Sequence, residues 1–192
     1  MSIVLLREMT ADEFDRWQRE LAEAYAAEQV SAGRWSPEDA VARARAENEQ
    51  ALPAGPSTPR MLVRTATDEA GEPVGRAWVG LDHPRGAPGV AFLYDIEVVP
   101  GRRGGGLGRA LLAAVEREAH AHGAEALELN VFGGNRAAIA LYLSAGYEVS
   151  TQQMRKPLSS GDGRGASVPA AEVLRSLAAE EGTGGVDDEA LP

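Results

Sequence analysis

Apolar residues in the first part of the chain follow the period of a strand and then that of a helix. Residues 3–7 form a short apolar run that predicts a strand. Thr10 and Glu13 have the spacing of a capping box, so a helix should begin there and continue to about residue 30. The predicted buried stripe of this helix, at three- and four-residue spacing, comprises Phe14, Trp17, Leu21, Ala24 and Tyr25.

A second helix and a hairpin are predicted next. Ser36 is placed to cap a helix with Pro37 at its first position, and this short, charged helix should end before Pro53. Residues 61–65 and 74–81 are apolar runs separated by a turn rich in Asp, Glu and Gly. This pattern is typical of an antiparallel hairpin.

A long apolar strand and an amphipathic helix follow. Residues 90–99 are interrupted only by Asp95 and Glu97, which predicts a strand buried on both faces except where the two acids lie. Residues 107–122 have the helical period, and Gly123 should end that helix. The side chains expected to point into the core are Leu111, Leu112 and Val115.

Two strands and a helix complete the predicted core. Residues 126–132 predict a strand, residues 135–145 a helix that ends at Gly146, and residues 147–156 a last strand. The order of elements along the chain predicts an α/β fold with a mixed sheet.

The composition changes beyond residue 158. Residues 159–192 are rich in Gly, Ser, Ala and acids, and so few large apolar side chains cannot offset the entropy lost on ordering. We therefore expect a folded domain over residues 1–158 and a disordered tail. The alternative is a short docking helix over residues 169–181, whose apolar side chains are Val173, Leu174 and Leu177.

Composition and charge exclude several classes of function. The chain has 192 residues, no cysteine and a formal net charge of -10, which argues against thiolate chemistry, Cys-based zinc sites and nucleic acid as the main partner. His83, His120 and His122 offer no metal cluster, so we expect no metal. No apolar run approaches the length of a membrane span, and we expect a cytoplasmic protein.

A glycine-rich loop between a strand and a helix is the strongest chemical signal. Backbone N–H groups in such a loop, at the positive end of a helix, form an anion site. The spacing matches neither the P-loop nor the dinucleotide fingerprint. A merely flexible turn is the alternative for a glycine cluster taken alone. The loop is Arg103-Gly104-Gly105-Gly106-Leu107-Gly108.

Two blocks of the chain resemble the GNAT N-acetyltransferases. Residues 98–112 are similar to the signature in which Gln or Arg, two free positions, Gly, one free position and Gly or Ala wrap the coenzyme A pyrophosphate. Residues 130–142, followed by Gly146 and an aromatic residue, resemble the later block, in which Asn135 would precede Tyr142 of a Leu-Tyr pair by seven residues. The blocks stand in the family's order.

The resemblance implies a fold and a coenzyme site. The fold would be a mixed, mostly antiparallel central sheet with a splayed strand pair and about four flanking helices, and acetyl-CoA would be the co-substrate. The pantetheine arm would pair with the backbone of Ile96 and Val98, and the Val98 N–H would donate to the thioester oxygen. Asn135 would contact the pantetheine or phosphate region, cap its helix, or do both. The residues implied to bind the coenzyme are Ile96, Val98, Arg103, Gly104, Gly105, Gly106, Leu107, Gly108, Arg109, Asn135 and Tyr142.

Three residues are candidates for the chemistry. Tyr142 matches the family tyrosine that protonates the leaving thiolate, with core packing as its alternative. Asn130 stands where some relatives that acetylate protein N-termini carry Glu. Glu97 is the best remaining candidate for the general base, because it interrupts an apolar strand beside the coenzyme. A structural acid bonded to a neighbouring loop is the equal alternative.

The implied function is N-acetyl transfer, directly from acetyl-CoA to a primary amine of a small molecule or peptide. A non-catalytic acyl-CoA-binding or regulatory module is the first alternative, and a protein-interaction domain that uses the acidic tail is the second. Neither nucleic acid nor membrane is expected as a partner, and a homodimer is left open.

Overall fold

The computed structural model describes residues 3–154 and 156. The chain divides into two compact units, Met1–Glu148 and Val149–Pro192. The sheet, the helices and all the predicted site residues belong to the first unit. The predicted tail helix over residues 169–181 lies outside the described residues, and the boundary at residue 158 stays a prediction.

The first unit is built on a five-stranded sheet in the order β1-β2-β3-β4-β5. The first four strands pair in antiparallel fashion, and β5 pairs with β4 in parallel. This confirms the mixed, mostly antiparallel sheet. The strands are β1 Leu5–Glu8, β2 Met61–Thr67, β3 Pro73–Gly80, β4 Val90–Val98 and β5 Ala126–Leu129.

Within the described residues, four α-helices flank the sheet, as expected, and short 3-10 turns occur at Gly55–Ser57 and Pro100–Arg102. The first helix has the predicted capping box: Glu13 N–H donates to Thr10 Oγ1, and Thr10 N–H donates to the Glu13 carboxylate at 2.9 Å. The helices are α1 Ala11–Ser31, α2 Ala40–Ala51, α3 Leu107–Ala121 and α4 Arg136–Ser144.

Apolar cores lie on both faces of the sheet. On one face α3 contributes Leu111, Leu112 and Val115, all buried as predicted. On the other face Trp17 of α1 packs edge-on against Trp78 of β3. The sheet therefore separates α3 on one face from α1 on the other.

Packing between α1 and α2 corrects two predictions. Ala24 is exposed, whereas Ala22 and Ala26 are buried against Ala40 and Ala44 of α2. Small residues facing each other let the two helices approach closely, so the buried stripe of α1 differs from the one predicted. The second helix begins at Ala40 and not at Pro37, and its N-cap, Asp39, makes no side-chain cap.

Three predictions for the later strands also needed correction. In β4 only the residues from Ala91 to Leu93 are buried, and those from Tyr94 onward are half-buried. The strand β5 ends at Leu129 rather than at residue 132. None of the described residues from 147 to 156 forms the predicted last strand, since no described strand pairs with this segment. A strand requires such a hydrogen-bonded neighbour.

Within the part of the chain that the structure describes, every helix is too short or too polar to cross a membrane.

Candidate functional site

The strands β4 and β5 separate halfway along β4. Their parallel pairing extends from Val90 opposite Ala126 to Leu93 opposite Leu129. Beyond that point β4 continues to Val98, while β5 has ended. The last five residues of β4 therefore present one backbone edge that no described strand covers.

The backbone groups of Ile96 and Val98 point to this open edge. Alternate residues of an antiparallel strand bond to the same neighbour. The Val99 N–H donates to the carbonyl oxygen of Val74 in β3, in register with the β3–β4 pairing. Residues 95 and 97 consequently face β3, and the N–H and C=O groups of Ile96 and Val98 face the gap. This is the arrangement that pairing with an extended ligand requires.

A bulge in β4 changes which side chains share a face. Trp78 pairs with Asp95 and the next residue, Val79, pairs with Leu93, so Tyr94 is the extra residue. Tyr94 stacks on Trp78 at 4.4 Å, on the α1 face of the sheet. The bulge places Asp95 on that same face and turns Ile96 toward the opposite core.

The glycine loop joins the open edge of β4 to the start of α3. Gly104 and Gly106 have φ angles of 87° and 78°, which side chains disfavour. Nothing lies within 4 Å of the position that a Cβ would take at Gly104, Gly105 or Gly106. Gly106 is the N-cap of α3 and offers no capping side chain. The first-turn N–H groups of a helix have no acceptor within it, so the loop is an open cradle for an anion.

The side chain of Arg103 turns back from this cradle toward β4. Its Nε donates to the carbonyl oxygen of Val98 at 3.1 Å, and Nη2 donates to the Glu97 carboxylate at 2.7 Å. Arg103 was predicted to bind the coenzyme, and these contacts leave its backbone, rather than its guanidinium, at the loop.

The end of α4 packs beside the start of α3. A Cβ on Gly108 would lie 3.5 Å from Leu141, and the Arg109 guanidinium donates to Ser144 Oγ at 2.8 Å. Arg109 therefore joins the two helices through its side chain. This packing brings α4, with Tyr142, next to the loop.

Tyr142 is buried in the core that also contains Ile96 and Val98. Burial raises the pKa of its phenol, and the negative charge of Asp95 raises it further. The phenol is thus protonated at neutral pH, as a proton donor must be. Tyr142 also packs on Tyr147, so both interpretations from the sequence fit its position.

The two asparagines lie on the far side of the gap. Asn135 is exposed and caps α4, with Oδ1 accepting from Ala138 N–H at 3.1 Å. Its amide nitrogen is not used by that cap, so a contact with a ligand is compatible with capping. Asn130 is exposed and directly follows β5.

An ion-pair network on the α1 face includes the acids of β4. Arg76 of β3 contacts Asp95 through Nε at 3.0 Å and Glu20 through Nη1 at 3.1 Å, and Nη2 contacts Glu97. The indole N–H of Trp17 donates to Asp95 at 2.9 Å. Both oxygens of Glu97 are therefore engaged by arginines, one from Arg76 and one from the loop.

Asp95, Arg76 and Trp17 were not predicted from the sequence to be site residues. Asp95 carried the same signal as Glu97, since both interrupt an apolar strand. In an unbroken strand the side chains of Asp95 and Glu97 would lie on one face and that of Tyr94 on the other. Only the bulge places Asp95 on the same face as its neighbour Tyr94.

Two clefts lie near the ends of β4, and only one of them adjoins the predicted site. One of about 450 Å³ lies along the outer side of the glycine loop. Its lining is Ile3, Asp68, Glu69, Gly101, Arg102, Arg103, Gly105 and Leu107. The other, about 310 Å³, lies at the opposite end of β4 near Gly89 and Gly123, and none of the predicted site residues lines it.

Among the described residues no three His, Cys, Asp or Glu side chains are grouped to hold a metal ion.

Comparison with known proteins gives consistent results. Residues 10–147 match the acetyltransferase (GNAT) family. The chain is 30% identical to the uncharacterized N-acetyltransferase YdgE of Bacillus subtilis, over 80% of this chain and 97% of YdgE.

Solved structures share the fold. The crystal structure of YycN from Bacillus subtilis superposes with a TM-score of 0.76 at 30% identity, covering 82% of this chain and 99% of YycN. The aminoglycoside N-acetyltransferase AAC(6')-Iy, solved in complex with CoA, has a TM-score of 0.53 at 20% identity and covers 82% of this chain and 95% of its own. At that identity the likeness to AAC(6')-Iy shows the fold alone.

Proposed function

Because the chain belongs to the acetyltransferase (GNAT) family and is an acetyltransferase, we propose that it transfers the acetyl group of acetyl-CoA directly to a primary amine of a small molecule or peptide. One observation carries the proposal. The open edge of β4 leads directly into the glycine cradle at the start of α3, so a single extended ligand with a diphosphate can occupy both.

Coenzyme binding divides between two kinds of backbone group. The loop from Gly104 to Gly108 would hold the diphosphate through N–H groups at the positive end of α3. Ile96 and Val98 would pair with the amide groups of the pantetheine arm along the open edge. Both contacts depend on backbone, so the ordinary core packing of the Ile96 and Val98 side chains is compatible with them.

The transfer step needs an oxyanion donor and an acid. The Val98 N–H at the open edge would donate to the thioester oxygen as negative charge develops there. Tyr142, protonated and beside the loop, would give its proton to the departing thiolate. Asn135 would contribute its amide nitrogen to the pantetheine or phosphate region.

The pKa of the acceptor amine determines how strong a base the reaction needs. About a tenth of an α-amine with a pKa near 7.8 is neutral at pH 7, whereas only about one lysine amine in a few thousand is neutral. A peptide α-amine or a small amine of similar basicity therefore needs only a modest base. Glu97 remains a candidate for that base, with one oxygen held by Arg76 and the other by Arg103. Asn130 remains a candidate for a polar contact with the substrate, since its carboxamide cannot take up a proton.

Release of free thiol from acetyl-CoA tests the proposal. Purified full-length protein is incubated with acetyl-CoA and, separately, with glycinamide, lysinamide, butylamine and a tripeptide that has a free N-terminus. Thiol release above the rate with acetyl-CoA alone, accompanied by the acetylated amine in mass spectrometry, is the expected result. Binding of acetyl-CoA with no release for any amine would instead favour a module that binds the coenzyme without catalysis.

A further inference from the structure

Asp95 lies across β4 from Tyr142. The bulge at Tyr94 turns the Asp95 carboxylate to the α1 face, where Trp17 reaches it. Tyr142 belongs to the core on the other face, together with Ile96. The two groups thus approach the open edge of β4 from opposite sides of the sheet, close enough for the Asp95 charge to act on the Tyr142 phenol.

The contacts of Asp95 differ from those of Glu97. Trp17 and Arg76 both donate to Oδ2 of Asp95, and no described contact is made to its Oδ1. The side chain is 15% exposed, and Oδ1 is not among the fully buried side-chain atoms that lack a hydrogen bond, so a substrate can reach it. Glu97, in contrast, uses one oxygen for Arg76 and the other for Arg103.

The surroundings of Asp95 are anionic. From α1, Glu20 shares the Arg76 guanidinium, and Glu28 lies within electrostatic range of Asp95. From β4, Glu97 shares Arg76 as well. Burial and the charge of Asp95 both raise the pKa of Glu28. Three carboxylates, those of Glu20, Asp95 and Glu97, share the one Arg76 guanidinium, and Glu28 adds a further acid nearby, so the field at Asp95 favours a cation.

We propose that Asp95 binds the ammonium group of the acceptor and removes its proton, and that Trp17 and Arg76 are positioning residues that hold its Oδ2 so that Oδ1 meets the amine. This inference rests on the proposed function, and it assigns the base to the α1 side of the sheet. The acceptor would enter from that side, while the thioester lies along the open edge.

The proposed step balances with the groups present. The ammonium gives a proton to Asp95, and the neutral amine nitrogen then forms a bond to the acetyl carbon. The carbon–sulfur bond breaks, the electron pair stays on sulfur, and Tyr142 supplies a proton to the thiolate. The attacking nitrogen loses its second proton to solvent, and the Asp95 proton and the Tyr142 phenol re-equilibrate with solvent before the next turnover.

Asp95→Asn is the direct test, because it keeps the size and the hydrogen bonds to Oδ2 but removes the base. With the amine that is most active in the panel, we expect kcat to fall about 100-fold and KM for the amine to rise. Calorimetry should give an acetyl-CoA Kd within about twofold of the wild type, because the coenzyme contacts lie elsewhere. The deficit should shrink as the pH approaches the pKa of the amine, because more of the amine then arrives neutral.

Glu23→Gln is the matched control, since it removes an exposed carboxylate from the same helix as Trp17 without changing the described ion pairs of Arg76. Its kcat and pH profile should equal those of the wild type. Trp17→Phe keeps an aromatic ring but loses the N–H that donates to Asp95. It should change the pH profile in the same direction as Asp95→Asn does, by a smaller amount. This variant tests the proposal if Asp95→Asn does not fold.

Three outcomes are distinguishable. Asp95→Asn with kcat within twofold of the wild type and an unchanged pH profile overturns the role of Asp95. An equal loss in Glu23→Gln also overturns it, because the effect would then come from the negative charge of α1 in general and not from Asp95. Wild-type protein that releases no thiol with any amine contradicts the proposed function itself.

Discussion

Arg103 and Glu97 are joined by a 2.7 Å ion pair that links the glycine loop to the strand it follows. The same guanidinium also donates to the Val98 carbonyl, at the open edge of β4. Arg103 thereby draws the loop against β4, and Glu97 is the group that holds the guanidinium in place. A carboxylate so close to the loop also opposes any anion that binds there.

Replacing Glu97 by Gln should therefore tighten coenzyme binding. The change removes a negative charge near the phosphate cradle and releases Arg103 from its ion pair, so we expect an affinity for CoA about three- to tenfold higher at low salt. Calorimetric titration at low and at high ionic strength is the measurement, and the gain should diminish as salt screens it. Glu125→Gln, at the far end of β4, is the control and should bind CoA as the wild type does. A weaker complex would mean that the ion pair contributes by holding the loop in its binding conformation.

Gly106 should not tolerate a branched side chain. Its φ of 78° is unfavourable for any L-residue, by about 1–2 kcal/mol, and even more so for valine. Gly106→Val should displace the N–H groups at the start of α3 and lower CoA affinity at least about tenfold. Gly101→Val, in the 3-10 turn just before the loop, outside the left-handed region and with open space around it, should bind almost normally. Unchanged calorimetric affinity in folded Gly106→Val would remove the loop from the coenzyme site.

Tyr142→Phe should reduce turnover while preserving the fold. The ring stays in its core position, so we expect the melting temperature and the CoA affinity to change little, whereas kcat should fall about 100-fold, at the lower end for general acid catalysis. Because burial and Asp95 raise the pKa of this phenol above its ordinary value of 10.0, the acid is present throughout the neutral range. The turnover that depends on Tyr142 should be lost only at alkaline pH.

Tyr147→Phe is the control for this prediction, since Tyr147 packs on Tyr142 at 5.6 Å and would be altered by the same loss of a hydroxyl. Its turnover should equal that of the wild type. A Tyr142→Phe protein with full turnover would assign Tyr142 to core packing and the proton to water.

Glu13 should make the stability of the fold depend on pH in acid. The Arg7 guanidinium, with help from Thr10 N–H and Thr65, lowers the pKa of Glu13 from 4.5 to about 2. The charged form is favoured by folding, so its contribution is complete above pH 4.5 and is lost as the pH falls toward 2. We expect Glu13→Gln to lower the free energy of unfolding at pH 7 by about 1–2 kcal/mol. The loss is kept this small because Arg7 is partly exposed and solvent screens the ion pair.

Urea unfolding at a series of pH values measures this effect. The difference between wild type and Glu13→Gln should narrow below pH 4.5 and vanish near 2. Glu23→Gln, an exposed change on the same helix, should differ little from the wild type at any pH. A constant difference across the acid range would show that Glu13 contributes through its hydrogen bonds and not through its charge.

By itself the sequence determined the features whose cause is local. The capping box at Thr10 and Glu13 was readable because both partners stand within one helical turn. The start of α3 at Leu107 and its end before Gly123 followed from glycine conformation and helical period. The glycine loop between strand and helix carried the prediction of an anion site, and the resemblance carried by two blocks of sequence supplied the family.

Tertiary structure decided what depends on pairing between distant segments. The end of β5 at Leu129, which opens the edge of β4, is set by a parallel neighbour distant in sequence. The bulge at Tyr94 interrupts the alternation of side chains along β4, because two residues there oppose one on β3. It therefore places Asp95 on the same face as Tyr94. The sequence left open whether Glu97 is a base or an acid bonded to a neighbouring loop, and only the structure identified Arg103 as its partner in the loop, six residues further along the chain. Alternation and helical period describe each element alone, and the side chains of Trp17, Arg76 and Asp95 meet only when three elements pack together.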